Sequence, residues 1–177
     1  MAFHDTSVEV MLSAEKLQAR VAELGAQITK DYQGKELTLI GIMKGSIFFL
    51  TDLARHVDLP ITLELMGVSS YQGGVETTGE VRITSDLTKP MHGRHVIIVE
   101  DIIDTGLTMK FLLENLGARH PASVKVATLL EKPSRAKVKV PIDYKGFVIE
   151  DRFVVGYGLD YGEKFRNLPF VGVMRTD

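Results

Sequence analysis

The chain has 177 residues, of which 45% are hydrophobic and 25% are charged, and this balance is typical of one soluble globular domain. The 21 Lys and Arg residues nearly cancel the 23 Asp and Glu residues, so no global basic field is available to hold nucleic acid or an anionic membrane. The sequence contains no Cys, which excludes disulfides, thiolate nucleophiles and Cys-ligated metal centres.

The sequence also lacks the patterns of an exported or membrane-spanning protein. Its longest apolar runs, such as residues 37–43, are far shorter than the roughly 18 residues that a bilayer requires. The first residues include Asp5, whereas a secretory signal begins with basic residues followed by an apolar stretch. We therefore expect a cytoplasmic protein that makes no membrane contact and forms a single domain over residues 1–177.

Helical and strand-like patterns alternate through the first part of the chain. Residues 13–32 predict an amphipathic helix with Ser13 as its N-cap, and residues 37–43 form an apolar run typical of a strand buried on both faces. After a break at residues 44–46, the pattern predicts a second helix and then a strand over residues 61–65. The residues expected to face the core from the two helices are Leu17, Val21, Leu24 and Ile28, then Ile47, Leu50, Ala54 and Val57.

The same alternation continues in the second part of the chain. We predict a strand over residues 95–101, a helix that Gly117 ends, and further strands over residues 123–130, 147–155 and 170–174. The inward side chains of this helix are expected to be Met109, Leu112, Leu113 and Leu116. Strands that alternate with helices indicate an α/β fold with a largely parallel sheet.

The most informative polar residues follow the predicted strand over residues 95–101. The turn Asp104-Thr105-Gly106-Leu107-Thr108 offers backbone N–H groups, two hydroxyls and the positive end of a helix dipole, which together can hold a phosphate. Glu100 and Asp101 lie one step earlier, where carboxylates can accept hydrogen bonds from a diol or bind Mg²⁺. Ligands of open α/β sheets bind at the carboxyl ends of strands, so the cluster suits a ribose 5-phosphate. The alternative is that both acids merely solvate the strand end and cap the helix.

Other phosphate and metal motifs fit the sequence poorly. No Walker A string is present, and residues 156–162 resemble a dinucleotide fingerprint whose third glycine is misplaced by one position. Asp101 and Asp104 are three positions apart, whereas the aspartyl-phosphate pattern D-x-D-x-T needs two. His92 and His95 flank a glycine and are more typical of a surface turn than of a metal site.

Residues 96–108 closely resemble the phosphoribosyl pyrophosphate motif of type I phosphoribosyltransferases, specifically the hypoxanthine-guanine branch. The resemblance covers most of the chain and includes residues 43–46, 70–71, 130–132, 153–161 and 165–167. It implies the type I phosphoribosyltransferase fold, a mostly parallel twisted sheet flanked by helices, with a small hood formed by the termini. It also implies Mg²⁺-dependent transfer of a 5-phosphoribosyl group to N9 of hypoxanthine or guanine, with release of pyrophosphate, in purine salvage.

The resemblance further implies roles for single residues around the phosphoribosyl group. Asp104 would transfer a proton at purine N7, while Glu100 and Asp101 would bind the ribose hydroxyls and Mg²⁺. The peptide bond Met43-Lys44 is often cis in this family. The 5-phosphate would contact Thr105, Gly106, Leu107 and Thr108, and the pyrophosphate would contact Lys44, Gly45 and Arg166.

The purine base would be read by a second group of residues, again by resemblance. Lys132 carries only donors, so it suits the 6-oxo acceptor of hypoxanthine or guanine and not the 6-amino group of adenine. Phe153 would stack on the purine, and the backbone of Val154 would read its edge. Asp160 would lie near C2 and hold a second Mg²⁺.

The segment 69–80 has three Gly and little to bury, so we expect a mobile excursion with Tyr71 near its start that closes over the substrates. Members of the family are commonly dimers or tetramers. Two alternatives stay open: a xanthine-preferring relative, and a phosphoribosyltransferase-fold regulator that binds nucleic acid. The net charge of −2, with only a modest basic cluster over residues 132–139, argues against the regulator.

Overall fold

The computed structural model describes residues 8–70 and 81–175, in which strands and helices alternate. The strand β1 (Val8–Leu12) is followed by the helix α1 (Ala14–Asp31), β2 (Leu37–Met43), α2 (Ile47–His56) and β3 (Ile61–Ser70). After the gap come β4 (Val81–Ser85), β5 (His95–Ile103), α3 (Leu107–Gly117), β6 (Ser123–Glu131) and a 3₁₀ turn (Pro133–Arg135). The last strands are β7 (Tyr144–Val148), β8 (Val154–Val155) and β9 (Val171–Met174).

These strands form two sheets. The larger sheet has the order β4-β3-β2-β5-β6-β7, in which all neighbours are parallel except the antiparallel edge strand β4. The smaller antiparallel sheet has the order β1-β9-β8 and joins strands from both ends of the described chain. The α/β fold with a mostly parallel sheet is therefore confirmed.

The hydrophobic core lies on both faces of the larger sheet, because successive strand residues point to opposite faces. Ile97 belongs to a buried cluster with Leu24 of α1 and Leu39 of β2. Its neighbour Ile98 belongs to a second buried cluster, which includes Leu112 of α3. Helices cover both faces of this sheet. Because β2, β5 and β6 run parallel, the loops that follow them lie together at the carboxyl ends of these strands.

The predicted helices are present, with two differences in detail. Ser13 caps α1 as expected, since its Oγ accepts a hydrogen bond from the N–H of Lys16 at 3.3 Å. In α2 the buried residues are Phe49, Leu50 and Leu53, whereas Ile47 at the first position is exposed. Gly117 ends α3 as predicted, whereas Leu113, expected to face the core, is only partly buried.

The predicted strands also need correction. The apolar run over residues 147–155 is two separate strands, β7 of the larger sheet and β8 of the smaller one. The strand β5 continues to Ile103, two residues past the predicted end, so Glu100 and Asp101 lie within it and not at its end. The short strands β1 and β4 were not predicted from the sequence.

Two expectations concern regions that the structure leaves untested. Residues 71–80 lie outside the described residues, so the closing segment over residues 69–80 and Tyr71 stay predictions. The single domain over residues 1–177, with a hood formed by its termini, also stays a prediction. Within residues 8–70 and 81–175, no helix has the length and apolar character needed to span a bilayer.

Candidate active site

The turn between β5 and α3 forms a small polar cavity of about 90 Å³. Gly106 adopts φ 82°, a conformation that favours glycine, and a Cβ there would stand 2.5 Å from the carbonyl oxygen of Val138. Thr105 Oγ1 accepts a hydrogen bond from the N–H of Leu107 at 3.4 Å. The cavity is lined by Thr105, Gly106 and Thr108 together with Glu100, and it lies at the positive end of the helix dipole, which suits an anion.

Glu100, which is buried, and Asp101, which is partly buried, form a pair of acids beside this turn. Burial, together with the neighbouring charge of Asp101, raises the pKa of Glu100 well above its usual range. Burial likewise raises the pKa of Asp101, although its carboxylate accepts a 2.7 Å hydrogen bond from the N–H of Ile102. Two such acids side by side favour a proton or a bound cation.

The turn after β2 lies directly against these acids. The peptide bond Met43-Lys44 is cis, as the resemblance implies. A Cβ on Gly45 would stand 1.7 Å from Oδ2 of Asp101, and a Cβ on Gly158 would stand 1.9 Å from the carbonyl oxygen of Gly45. Three backbone segments therefore meet at a spacing that side chains at these glycines would prevent.

A loop that follows β8 carries the second group of charged residues. Arg166 donates to the carbonyl oxygen of Gly158 at 2.7 Å and contacts Asp160 at 3.0 Å and Glu163 at 3.1 Å. Glu163 also pairs with Lys44 at 2.6 Å, and hydrogen bonds from Lys44 and Arg166 lower the pKa of its carboxyl. Nε of Arg166 is buried and has no hydrogen-bond partner among the described residues.

Tyr157 anchors this loop to the helical layer. Its hydroxyl donates to the carboxylate of Asp52 in α2, which also accepts a hydrogen bond from the side chain of Gln18 at 2.8 Å. Burial, followed by the hydrogen bond to Asp52, raises the pKa of Tyr157 far above its usual value. The start of the loop is thus fixed to α1 and α2 by a partly buried polar contact.

A larger cavity of about 510 Å³ opens beside the turn at residues 104–106. In the register of β5 and β6, Ile103 pairs with Glu131, so Asp104 and Lys132 leave the sheet side by side. The N–H of Lys132 donates to the carbonyl oxygen of Ile103 at 3.0 Å. The cavity is lined by Asp101, Asp104, Lys132, Phe153, Val154 and Asp160, with Arg135 and Asp151.

Two aromatic rings lie at the mouth of this cavity. Phe153 is 52% exposed although it precedes a buried strand, and it packs edge-to-face with Tyr161 at a centroid distance of 5.6 Å. Val154, the next residue, is buried in β8. An exposed aromatic face beside a polar cavity is suited to stacking on a flat ligand.

Three charged residues of the site were not predicted from the sequence. Arg135 donates from Nε to Oδ1 of Asp104 at 2.7 Å and lies 3.6 Å from Asp151. Asp151 also lies 3.8 Å from Nζ of Lys132, and Glu163 bridges two cations as described above. Lys132 and Arg135 are three positions apart across a Pro-initiated 3₁₀ turn, a local spacing that places both on one side but does not indicate their pairing with Asp104 or Asp151.

A second cavity of similar size, about 470 Å³, lies at the opposite, amino ends of the strands, near the first residues of β5 and β6. Its charged groups pair with one another. Lys125 contacts Asp143 at 3.1 Å, and Tyr144 donates to Asp31 at 2.8 Å. The candidate site is instead the carboxyl end of the parallel strands, where ligands of open α/β sheets bind and where the turn at residues 104–106 and Lys132 meet.

Comparison with known proteins agrees with this assignment. The sequence model of the phosphoribosyl transferase domain matches residues 7–162, which is most of the chain. The chain belongs to the phosphoribosyltransferase family. The matched range includes the acids, the turn and Lys132, so the predicted family is confirmed.

Individual phosphoribosyltransferases match over nearly the whole chain. A hypoxanthine phosphoribosyltransferase of Haemophilus influenzae is 49% identical over 168 residues, covering 93% of this chain and 94% of that protein. A hypoxanthine-guanine phosphoribosyltransferase of Staphylococcus aureus is 47% identical and covers 98% and 97%. A crystal structure of a hypoxanthine phosphoribosyltransferase from Staphylococcus aureus superposes with a TM-score of 0.92 at 47% identity, covering 96% of this chain and 93% of that chain.

The structure also shows why the dinucleotide and histidine motifs do not apply. The glycine-rich residues 156–162 lie in a loop that no helix follows, whereas a dinucleotide fingerprint opens a helix. His95 contacts Ser123 at 2.7 Å, and His92 packs near His120, so the two histidines have different neighbours. Within the described part of the chain, no group of three acids or histidines has the arrangement of a complete metal site.

Proposed function

We propose that this phosphoribosyltransferase transfers the 5-phosphoribosyl group of phosphoribosyl pyrophosphate to N9 of hypoxanthine, and also of guanine. The products are the nucleotides IMP and GMP together with pyrophosphate, a reaction of purine salvage. The observation that carries the proposal is the placement of Asp104 and Lys132 side by side, at the mouth of a cavity that adjoins the phosphate-sized turn. The Haemophilus influenzae and Staphylococcus aureus relatives are named for the same activity.

The phosphoribosyl group would lie over the start of α3. Its 5-phosphate is dianionic, and the turn offers the N–H groups of Gly106, Leu107 and Thr108 with the hydroxyls of Thr105 and Thr108. Glu100 and Asp101 would accept hydrogen bonds from the ribose hydroxyls. The sugar is then fixed with its C1 atom toward the larger cavity, where the base enters.

The pyrophosphate group would displace the internal pairing of Lys44 and Arg166 with Glu163. Both cations contact Glu163 at 2.6 and 3.1 Å, so their charges already converge on one anionic group. The unpartnered Nε of Arg166 adds a donor, and Gly45 offers a backbone that lies close to Asp101. These features support a role of Lys44, Gly45 and Arg166 in holding the leaving group.

The base would bind between the exposed ring of Phe153 and the charged floor of the larger cavity. Lys132 would donate to O6, and Asp104 would accept the proton of N7 as N9 attacks C1 and the bond from C1 to pyrophosphate breaks. The backbone of Val154 and the side chain of Asp160 would face the other end of the purine. Adenine presents a 6-amino donor where Lys132 also has only donors, so no hydrogen bond forms between them and adenine is rejected.

The donor set suits Mg²⁺. Glu100, Asp101 and Asp160 present carboxylate oxygens, and Mg²⁺ is commonly held by one or two carboxylates, with waters and substrate oxygens completing its coordination. When bound, Mg²⁺ neutralises the charge of pyrophosphate and improves it as a leaving group.

Water competes with the purine for C1, so the site needs a cover during the reaction. We assign this to residues 69–80, with Tyr71, on their polar and glycine-rich composition. We further expect a homodimer or homotetramer that acts in the cytoplasm.

Two alternatives differ in what they predict. A regulator of this fold would bind phosphoribosyl pyrophosphate and nucleic acid without forming nucleotide, and a xanthine-preferring relative would form mainly the xanthine nucleotide. The near-neutral charge of the chain and the purine-sized cavity favour the enzyme.

The test is an assay of nucleotide and pyrophosphate with phosphoribosyl pyrophosphate and each of hypoxanthine, guanine, xanthine and adenine. The proposal predicts nucleotide from the first two bases, with loss of activity on chelation and recovery with Mg²⁺. Glu100→Gln should raise the Mg²⁺ concentration needed for half-maximal activity. Failure to form nucleotide from either hypoxanthine or guanine would contradict the proposal.

A further inference from the structure

We propose that Arg135 and Asp151 are positioning residues, which hold Asp104 and Lys132 at the spacing of the N7 and O6 atoms of a 6-oxopurine. The inference rests on the proposed function, because it takes the larger cavity as the site of the base. It adds two residues that neither contact C1 nor read the base themselves.

The four side chains form a continuous chain of contacts. Arg135 donates from Nε to Oδ1 of Asp104 at 2.7 Å, and its Nη1 lies 3.6 Å from Oδ2 of Asp151. The other carboxylate oxygen of Asp151 lies 3.8 Å from Nζ of Lys132. The acceptor proposed for N7 and the donor proposed for O6 are thus linked through one arginine and one acid.

These four side chains come from four different places in the fold. Asp104 follows β5, Lys132 follows β6, Arg135 ends the 3₁₀ turn, and Asp151 lies between β7 and β8. All four line the same cavity. Local sequence could not bring these charges together, so the arrangement is a property of the cavity.

Acidic and basic groups alternate along this series of contacts, and their charges cancel. Two acids and two bases leave this group of four side chains without net charge, which suits a neutral purine that offers a donor at N7 beside an acceptor at O6. The contact to Asp104 engages Oδ1 and leaves Oδ2 to accept the proton from N7. A guanidinium holds a carboxylate in a defined plane better than an ammonium does, since its donors form a rigid fork.

Stability does not account for these pairs. The side chains of Asp104, Arg135 and Asp151 are 37%, 48% and 51% exposed, and ion pairs between groups so open to solvent add little to folding. Lys132, in contrast, is only 9% exposed, so its direction matters for what it can bind. The arrangement therefore serves the orientation of Asp104 and Lys132.

The test compares Arg135→Gln, Arg135→Lys and Asp151→Asn with the unaltered enzyme, in steady-state kinetics with hypoxanthine. Arg135→Gln should lower kcat about 10- to 100-fold, as expected when a proton-transfer group is misplaced. Arg135→Lys should recover part of this loss. The KM for phosphoribosyl pyrophosphate should change by less than about twofold in each variant, and Asp151→Asn should raise the KM for hypoxanthine. Arg119→Gln is the matched control, because Arg119 pairs with Asp86 and does not line the cavity.

A double substitution shows whether Arg135 acts through Asp104. In an Asp104→Asn background, Arg135→Gln should cause no further loss of kcat, because the group that it orients is already removed. The inference is overturned if the loss is the same in both backgrounds, if Arg135→Gln leaves kcat unchanged, or if it raises kcat. An unaltered protein that forms no nucleotide at all would instead overturn the proposed function, and the inference with it.

Discussion

The backbone of Gly45 lies against the carboxylate of Asp101, so closely that a Cβ at residue 45 would stand 1.7 Å from Oδ2. Gly158 closes on Gly45 from another side. The turn that carries Lys44 is therefore fitted directly to Asp101, one of the two paired acids. In the proposed reaction, this contact joins the pyrophosphate turn to the residues that bind the ribose and Mg²⁺.

Substitution of Gly45→Ala should disrupt that fit, because the partly buried carboxylate of Asp101 already holds a 2.7 Å hydrogen bond from the N–H of Ile102. We expect kcat/KM for phosphoribosyl pyrophosphate to fall by about 10²-fold or more, as for other small displacements of binding groups. The control is Gly117→Ala at the end of α3, where a Cβ would meet no atom within 4 Å. If both variants retain full activity, the contact with Asp101 has no role in binding.

Substitution of Asp104→Asn preserves the size of the side chain but removes its capacity to accept a proton. If Asp104 is the proton acceptor at N7, turnover should fall by about 10²- to 10⁴-fold in a steady-state assay. Asp86→Asn, which alters an acid paired with Arg119, should leave turnover unchanged. Turnover near that of the unaltered enzyme would remove Asp104 from this role.

Substitution of Lys132→Met retains an apolar stem in a buried position and removes the donor proposed for O6. The loss should fall on hypoxanthine and guanine, by about 10- to 10³-fold in kcat/KM. Affinity for phosphoribosyl pyrophosphate, measured by calorimetry, should change little. An equal loss for both substrates would mean that Lys132 does not read the base.

Two buried tyrosines predict a loss of stability at high pH. Burial, with hydrogen bonds to Asp31 and Asp52, raises the pKa of Tyr144 and Tyr157 above the usual value. A raised folded-state pKa gives stability that is fully present below the unfolded pKa, about 10, and is lost as the pH rises toward the folded pKa. The free energy of unfolding in urea should therefore fall above about pH 10.

The double variant Tyr144→Phe/Tyr157→Phe tests whether these two tyrosines cause the fall in unfolding free energy above about pH 10. It should cost about 1 kcal/mol per lost hydrogen bond at neutral pH and reduce the dependence of unfolding free energy on pH above 10. Tyr161→Phe is the exposed control. A slope that is the same in all three proteins would assign the alkaline loss to other groups.

The long elements of the fold could be predicted because their signals are local. The apolar spacing in α1 and the unbroken apolar runs of β2 and β5 are contained within each segment. The strand β1 could not be predicted in this way, because its partner is β9 at the other end of the described chain, where Val10 pairs with Gly172. Residues 147–155 are divided between two sheets because the chain leaves the larger sheet after β7. A local pattern of β-branched residues does not indicate where this occurs.

The candidate site divides in the same way. The turn at residues 104–108 is contiguous, so its capacity for an anion could be read from the sequence alone. Lys132 and Asp160 needed the resemblance to a family, because nothing local separates them from ordinary surface charges. Arg135 could not be assigned, because its partner Asp104 is 31 positions earlier in the chain.

The most direct test of the proposed reaction is a competition between equimolar hypoxanthine and adenine for limiting phosphoribosyl pyrophosphate, with Mg²⁺ present and products separated by chromatography. A cavity that reads O6 through Lys132 predicts IMP, one pyrophosphate for each nucleotide formed, and AMP at the level of a reaction without enzyme. AMP formed in amounts comparable with IMP, or no nucleotide at all, would contradict it.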